Sequence, residues 1–444
     1  MKGSNKSVFG IVFLTIFLDM VGFSIIFPLF PAMLDHYLFL EQSMGGSILS
    51  SFVSWVSGFG TQVSIDNPSF RLETVIFGGI LGSLYAVLQF VFAPIWGGLS
   101  DRYGRKPILM LTLFGTAVGY FLWIMSGNFW LLVLSRLIGG MAGGNISVAT
   151  AAIADVTSRE KRSKGMAFVG IAFGLGFVLG PAIGGIASQW KFSGADEFVF
   201  FGIHSFSAPA TISFCLAVIN LLWLSIGFSE TLPLEKRSES TSFLPAVCRM
   251  GKVTSPDARR TCMSYLFYMI SFSGMEFTLT FLAVERFSFT PKDLGEMFLL
   301  IGGTLILVQG VVVRRFVNRM GERNMAHLGI LIGFFAFLII ALADSFSLFY
   351  PGLFLMSSGV ALISPTLTAL TSLSSKESEQ GVNLGIFRSC GSIARSIGPI
   401  SAGLIYFTYG SSIAYIVGAI WLVFPALVLL AVKQSAGSKD LVSA

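Results

Sequence analysis

Charge is scarce in this chain. Only 12% of its 444 residues are Asp, Glu, Lys or Arg, and 54% are hydrophobic. A soluble domain carries roughly 25% charged residues. So few charges do not cover the surface of a water-soluble protein of this length. A soluble enzyme, a nucleic-acid binder and a disordered scaffold are therefore excluded. There are three histidines and four cysteines. Cys215, Cys248, Cys262 and Cys390 are scattered without metal-ligand spacing, so neither a metal site nor a disulfide framework is expected. There is no phosphate-cradling P-loop and no nucleophile motif. No enzyme activity, no cofactor and no ATP-driven pumping are expected. The first apolar run, from Val8 to about Leu34, is too long for a signal-peptide core and precedes no small-residue cleavage site.

What the chain has in abundance is apolar sequence, with a mean hydropathy of +0.79. A membrane-crossing helix needs about 20 apolar residues. Twelve such helices are read at roughly 8–34, 73–96, 107–126, 129–153, 165–188, 209–228, 261–285, 295–314, 325–343, 346–373, 382–407 and 411–432. The expected fold is an all-α membrane protein with twelve spans. The net charge of +6 fits basic loops retained on the cytoplasmic side rather than nucleic-acid binding. With both termini inside, 22 Lys and Arg fall on the inner side and 4, namely Arg71, Lys191, Arg286 and Lys292, on the outer side. Both termini are therefore expected in the cytoplasm, in a cell (inner or plasma) membrane.

The sequence repeats. Gly97-Gly98-Leu99-Ser100-Asp101-Arg102-Tyr103-Gly104-Arg105-Lys106-Pro107 closes the second helix, and Arg314 to Arg323 closes the eighth, with Gly104 and Gly321 217 residues apart. Gly180-Pro181 and Gly398-Pro399 are 218 apart. Two motifs at nearly one offset imply two six-helix halves, an arrangement suited to a transporter with a central site. The expected division is 1–228, a cytoplasmic linker 229–260 and 261–444. The linker holds the charged, Ser-rich stretch from Glu230 to Ser242. In the long outer loop 35–72, Ile48, Leu49, Phe52, Val53 and Val56 recur at helical spacing and predict a short surface helix.

The Gly97–Pro107 motif reads as a tight turn between two helices at the inner interface, with Gly104 permitting an unusual backbone conformation. Its basic residues satisfy topology, and Asp101 can pair across helices or meet a helix N-terminus. This turn resembles the loop 2–3 signature of the major facilitator superfamily at nearly every position. Leu18-Asp19-Met20-Val21-Gly22 with Pro28 and Pro31 resembles the first helix of the family's twelve-helix drug–proton antiporters. Arg136 with Gly139, Gly140, Gly143 and Gly144 resembles a fourth-helix motif linked there to proton coupling. Gly176, Gly180, Pro181, Gly184 and Gly185 resemble the antiporter motif; physically, such spacing lets helices approach closely. The first half resembles tetracycline-efflux proteins. In the second half, Gly274 to Leu279, Glu230 to Pro233, and Arg388-Ser389 with Ala394-Arg395 resemble animal tetracycline-transporter-like proteins, regarded as organic-anion transporters. In the eighth–ninth loop Asn318 and Glu322 replace the acid and an arginine of the signature.

Charges inside apolar helices are costly and so are functional candidates. Asp19 lies about 17 Å into the first predicted helix and Glu276 about 22 Å into the seventh predicted helix as traced from its motif, at 1.5 Å per residue. A carboxyl held between burial and a nearby arginine can bind and release a proton as access alternates; the structural alternative is a static pair with Arg136. His36 and His204 are read in outer loops and His327 near an inner helix end, so a relay would run on carboxylates. The resemblance implies that Asp155 pairs with Arg105 and, with Asp101, locks an inner gate formed by Gly97, Asp101, Arg102, Gly104, Arg105 and Lys106. Arg388 and Arg395, seven apart, share a helix face. Arg395, about 20 Å from the inner end, calls for a carboxylate such as Glu276, or an anionic substrate. Gln89, Asn145 and Gln309 are further polar candidates for the ligand. The expected activity is proton-coupled export of amphipathic organic compounds, anions foremost. A tetracycline-type exporter and a non-transporting membrane sensor are the alternatives. The expected partners are a small-molecule substrate, protons and the lipid bilayer, with no nucleic acid, for a monomeric chain.

Overall fold

The computed structural model describes residues 2–44, 71–157, 162–190, 202–237, 253, 255–375 and 380–433. The surface helix expected around 48–56 lies outside the described residues. Among those residues the secondary structure is helical: α1 (Lys2–Ser24), α2 (Phe30–Met44), α3 (Glu73–Tyr103), α4 (Arg105–Ile124), α5 (Phe129–Ala142), α6 (Asn145–Val156), α7 (Arg162–Ala187), α8 (Ser207–Gly227), α9 (Pro256–Phe287), α10 (Pro291–Leu307), α11 (Arg314–Met320), α12 (Glu322–Ala341), α13 (Phe346–Leu373), α14 (Gln380–Tyr409), α15 (Ser411–Trp421) and α16 (Val423–Leu430). Among the described residues, ten spans, some built from two consecutive segments, are long and apolar enough to cross a membrane; with α7 and α14 the long helical spans described number twelve.

Four of the spans are broken or irregular where the sequence reading had single helices. The first is broken rather than ending near 34. Pro28 has no N–H and its ring crowds the carbonyl four residues earlier, so α1 stops at Ser24. A 3₁₀ turn, Phe27–Leu29, follows, and α2 then runs on to Met44. His36 consequently stands on α2, not in a loop. The fourth span breaks at Gly143–Gly144 into α5 and α6. The eighth passes through a π-helical segment, Val308–Val313, which carries Gln309. The last is divided at Leu422.

The residues fall into two compact units. The first comprises Met1–Ser50, Leu84–Pro245 and Phe289–Leu299; the second comprises Ser51–Ser83, Ala246–Ser288 and Leu300–Ala444. In the first unit, α1 packs on α7 and α8, and α4 on α5 and α8. A buried cluster of Val12, Ile16, Met20, Leu109, Leu113, Val148, Ala152 and Leu224 fills the space between them. Lipid tails are as apolar as these side chains, so close packing rather than flight from water holds such helices together. The glycines of α7 serve that end. A Cβ at Gly176 would lie 2.7 Å from the Phe17 carbonyl oxygen, and one at Gly180 2.6 Å from that of Val21. Ser24 Oγ, on α1, donates to the Gly176 carbonyl at 3.2 Å. In the second unit α9 meets α14 in the same manner: a Cβ at Gly274 would stand 2.8 Å from the Gly398 carbonyl oxygen.

Candidate functional site

The loop signature is mostly helix. Residues 97–103 form the last two turns of α3, and the reversal is concentrated at Gly104, whose φ of 106° and ψ of 159° suit only glycine. The tight turn expected over 97–107 is therefore one residue wide, because the Gly97–Tyr103 stretch keeps its helical hydrogen bonding up to Gly104 N–H on the Ser100 carbonyl at 3.1 Å. Gly104 caps α4 without a side chain, so the first N–H groups of α4 need an outside acceptor. Glu230 supplies it: Arg105 N–H donates to Oε1 at 2.8 Å and Lys106 N–H to Oε2 at 3.1 Å. The anion at a helix N-terminus is also favoured by the helix dipole. Sequence reasoning placed Glu230 in the linker and gave it no partner. A carboxylate a few residues beyond the end of α8 is too weak a signal to name which helix start it reaches.

Arg105 is buried and fully engaged. Its Nε donates to Asp155 Oδ2 at 2.9 Å, Nη1 donates to Ser100 Oγ at 2.6 Å, and Nη1 lies 2.7 Å from Asp101 Oδ1. Thr231 Oγ1 donates to the same Asp155 oxygen at 3.2 Å. Lys106 Nζ donates to the Ser225 carbonyl at 2.9 Å. Arg102 lies over its neighbour Tyr103, with 5.3 Å from guanidinium carbon to ring centre. The geometry thus brings Asp101, Arg105 and Asp155 together and adds Glu230 and Thr231. Arg102 remains on the rim, exposed.

Deeper in the same unit, Asp19 is buried, 8% exposed, on α1. Asn145, the first residue of α6, lies beside its carboxyl, yet outside bonding geometry, since both amide atoms are buried without a hydrogen-bond partner. Gln89 does not point free: its amide donates to the Gly143 carbonyl at 2.8 Å and pins the break between α5 and α6. Arg136 sits over the Trp123 ring at 4.8 Å, with Nε donating to Ser135 Oγ at 3.2 Å. No ion pair joins Asp19 to Arg136 among the described residues. What they share is two tyrosines, half-buried Tyr85 and buried Tyr120, each within electrostatic reach of both. The tyrosines were missed by sequence reasoning; their 35-residue separation and lack of charge give no periodic signal.

The second unit repeats the theme with different partners. Glu276 on α9 lies in the field of Arg395 on α14. Tyr268 and Tyr415 also approach Glu276, and the Tyr268 hydroxyl is buried without a partner. Arg388 and Arg395 both act on Tyr265. Gln309 stands in the π-helical segment.

A transport-protein family model covers residues 12–399 and again 311–441. The chain belongs to the major facilitator superfamily. Within it, the chain is similar to the mouse (Mus musculus) major facilitator superfamily domain-containing protein 10, 33% identical over 453 residues, covering 98% of this chain and 94% of the relative. It is similar to the class B tetracycline resistance protein of Escherichia coli, 29% identical over 377 residues, 82% of this chain and 89% of that protein. Among solved structures, the human organic anion transporter MFSD10 (TETRAN) superposes with a TM-score of 0.75 at 32% identity, covering 96% of this chain and 99% of that one. As a major facilitator protein the chain is a multi-pass membrane transporter of small molecules with twelve helices in two pseudo-symmetric halves, and not an enzyme.

Proposed function

We propose that this transporter exports amphipathic organic anions in exchange for protons, by alternating access, as a monomer in a cell membrane with both termini in the cytoplasm. The observation that carries the reading is the charge placed within the spans. Asp19 and Glu276 each stand in the first long helix of a half, and Arg388 and Arg395 stand on one face of α14 with Glu276 in the field of Arg395. A carboxylate that exchanges a proton for its partner couples the two movements. A guanidinium in the path selects an anion by charge and bidentate hydrogen bonding. The likeness to a human organic anion transporter supports the substrate class. In this reading Arg105, Asp155 and Asp101 form a latch at the cytoplasmic end that opens and closes with each cycle, and Asn145 contributes a polar contact to the ligand path.

Uptake of labelled organic anions into proteoliposomes, with and without an imposed pH gradient, tests it. Accumulation above equilibrium only under the gradient is the expected result; equal uptake in both conditions overturns the coupling. The likeness to the E. coli tetracycline resistance protein favours a second reading, a tetracycline-type exporter. Competition by tetracycline but not by organic anions in the same vesicles would select it.

A further inference from the structure

Tyr265 belongs to neither the latch nor the coupling carboxylates, yet it lies where two arginines of another helix meet. It stands on α9. Across from it on α14, Arg388, Gly391 and Arg395 follow at spacings of three and four, which places them on one helical face. The Tyr265 ring stacks on Phe387, with centroids 3.8 Å apart and planes 15° from parallel. Its phenol end occupies the notch left by Gly391: a Cβ there would lie 2.9 Å from Tyr265 Cε1 and 3.0 Å from its hydroxyl oxygen. The hydroxyl is therefore held beside Gly391, one helical turn along α14 from the backbone position of each arginine, and both charges act on it. Tyr265, Arg388 and Arg395 are all half-buried, so the group is not sealed inside helix packing. Phe387, in contrast, is buried and fixes the ring from behind.

We propose that Tyr265 is a specificity-determining residue: its hydroxyl, seated on Gly391 between Arg388 and Arg395, completes a three-point cradle for the carboxylate or sulfonate of an aromatic substrate. The phenol donates one directional hydrogen bond, and the guanidiniums supply charge and paired donors. The stack on Phe387 holds the donor in place. The anion end of an aromatic acid meets the cradle, while its ring lies against the accessible part of Tyr265. The inference rests on the reading that Arg395 lines the anion path.

The test is binding of labelled 2-naphthoate and of its neutral amide, 2-naphthamide, to the purified full-length chain carrying Tyr265→Phe, Gly391→Ala or Arg395→Lys. Tyr265→Phe keeps the ring and removes one donor. It should weaken naphthoate by about tenfold, the size of one charge-assisted hydrogen bond, and naphthamide by less than about twofold. Gly391→Ala displaces the phenol and should follow the same pattern. Retained naphthamide binding shows that each variant is folded. If Arg395→Lys weakens naphthoate and Tyr265→Phe does not, the assignment of Tyr265 is wrong and the anion reading of Arg395 stands. If neither variant changes the preference for naphthoate, or the unaltered chain shows none, both are overturned. Equal losses for both probes in Tyr265→Phe would make the residue a packing element and also overturn the proposal.

Discussion

The last turns of α4 and α12 present the same backbone carbonyls, 217 residues apart, to different partners. In the first unit the Trp123 carbonyl meets His204 Nε2 at 3.1 Å, and the Ser126 carbonyl accepts from the Tyr37 hydroxyl. In the second unit the Ile340 and Ala343 carbonyls both accept from Arg286 Nη1, at 3.2 and 2.9 Å. Arg286 Nη2 then donates to Ser411 and Ser412 at 3.0 and 2.7 Å. At the opposite ends of the same helices Gly104 and Gly321 adopt nearly the same conformation, with φ of 106° and 76° and ψ of 159° and 155°. Around Gly104 lie Glu230 and the ion pairs of Arg105; Gly321 is followed by Glu322, and Arg323 donates instead to the Leu430 carbonyl at 3.0 Å. The repeat thus preserves what the backbone requires, a turn and capped carbonyls. The chemistry that meets the requirement has diverged, neutral and titratable in one unit and permanently charged in the other.

The largest effect is expected where the halves differ in their buried acid. Asp19→Asn keeps size and shape but cannot exchange a proton. Accumulation under an imposed pH gradient should disappear while substrate binding survives. Concentrative uptake by this variant would remove Asp19 from coupling and leave Glu276 to account for it.

The difference at the carbonyl ends predicts that the end held by His204 is sensitive to acid and the end held by Arg286 is not. His204 is buried, 5% exposed, which pushes its pKa down to about 4; the bond to the Trp123 carbonyl opposes this and nearby His36 adds to it. Phe206 N–H donates to Nδ1 at 3.2 Å, so the neutral ring carries its proton on Nε2. The unfolded chain takes up that proton near pH 6.5 and the folded one near 4, so stability is fully present above 6.5 and falls as the pH drops towards 4. The loss is on the order of 3 kcal/mol. Melting temperatures in detergent between pH 7 and 4 should show this slope in the parent and a flatter one in His204→Gln. Arg286→Gln should lower the melting temperature at every pH and leave the slope intact.

Next in size comes the glycine pair. Alanine at Gly104 or Gly321 meets a backbone conformation costing roughly 1–3 kcal/mol, and at Gly104 its Cβ would also stand 2.5 Å from Glu230 Oε2. Gly104→Ala should therefore destabilise more than Gly321→Ala in the same melting assay. Equal shifts would mean that Glu230 yields freely. The smallest change in stability is expected from Asp101→Asn. Its side chain is half exposed, and such pairs contribute at most about 1 kcal/mol. Expression should stay near normal while transport falls. Full transport by Asp101→Asn would contradict a gating role.

Several of these features were legible in the residues and others were not. The glycine at the loop turn and the glycine stripe of α7 are residue types that few other roles require, and they stand where the sequence reading put them; the Arg105–Asp155 pair, which forms, was implied by the family resemblance alone. The break after Ser24 was signalled by Pro28 but read through, because the apolar run continues past it. The break at Gly143–Gly144 was hidden the same way within an apolar run. Glu230, Tyr85, Tyr120 and Tyr265 were silent because their partners sit on other helices, far away along the chain.

By itself, the sequence determined the solvent, the number of long helices, their duplication and the positions of the charges within them. Each of these follows from local composition, since a bilayer tests every 20-residue stretch separately for the cost of its polar groups. Only the tertiary structure decided which partner each charge met: Arg136 over Trp123 rather than on Asp19, Asn145 beside Asp19, and Tyr265 between two arginines. Those choices depend on how helix faces rotate against one another, and packing sets that rotation through contacts between residues remote in sequence.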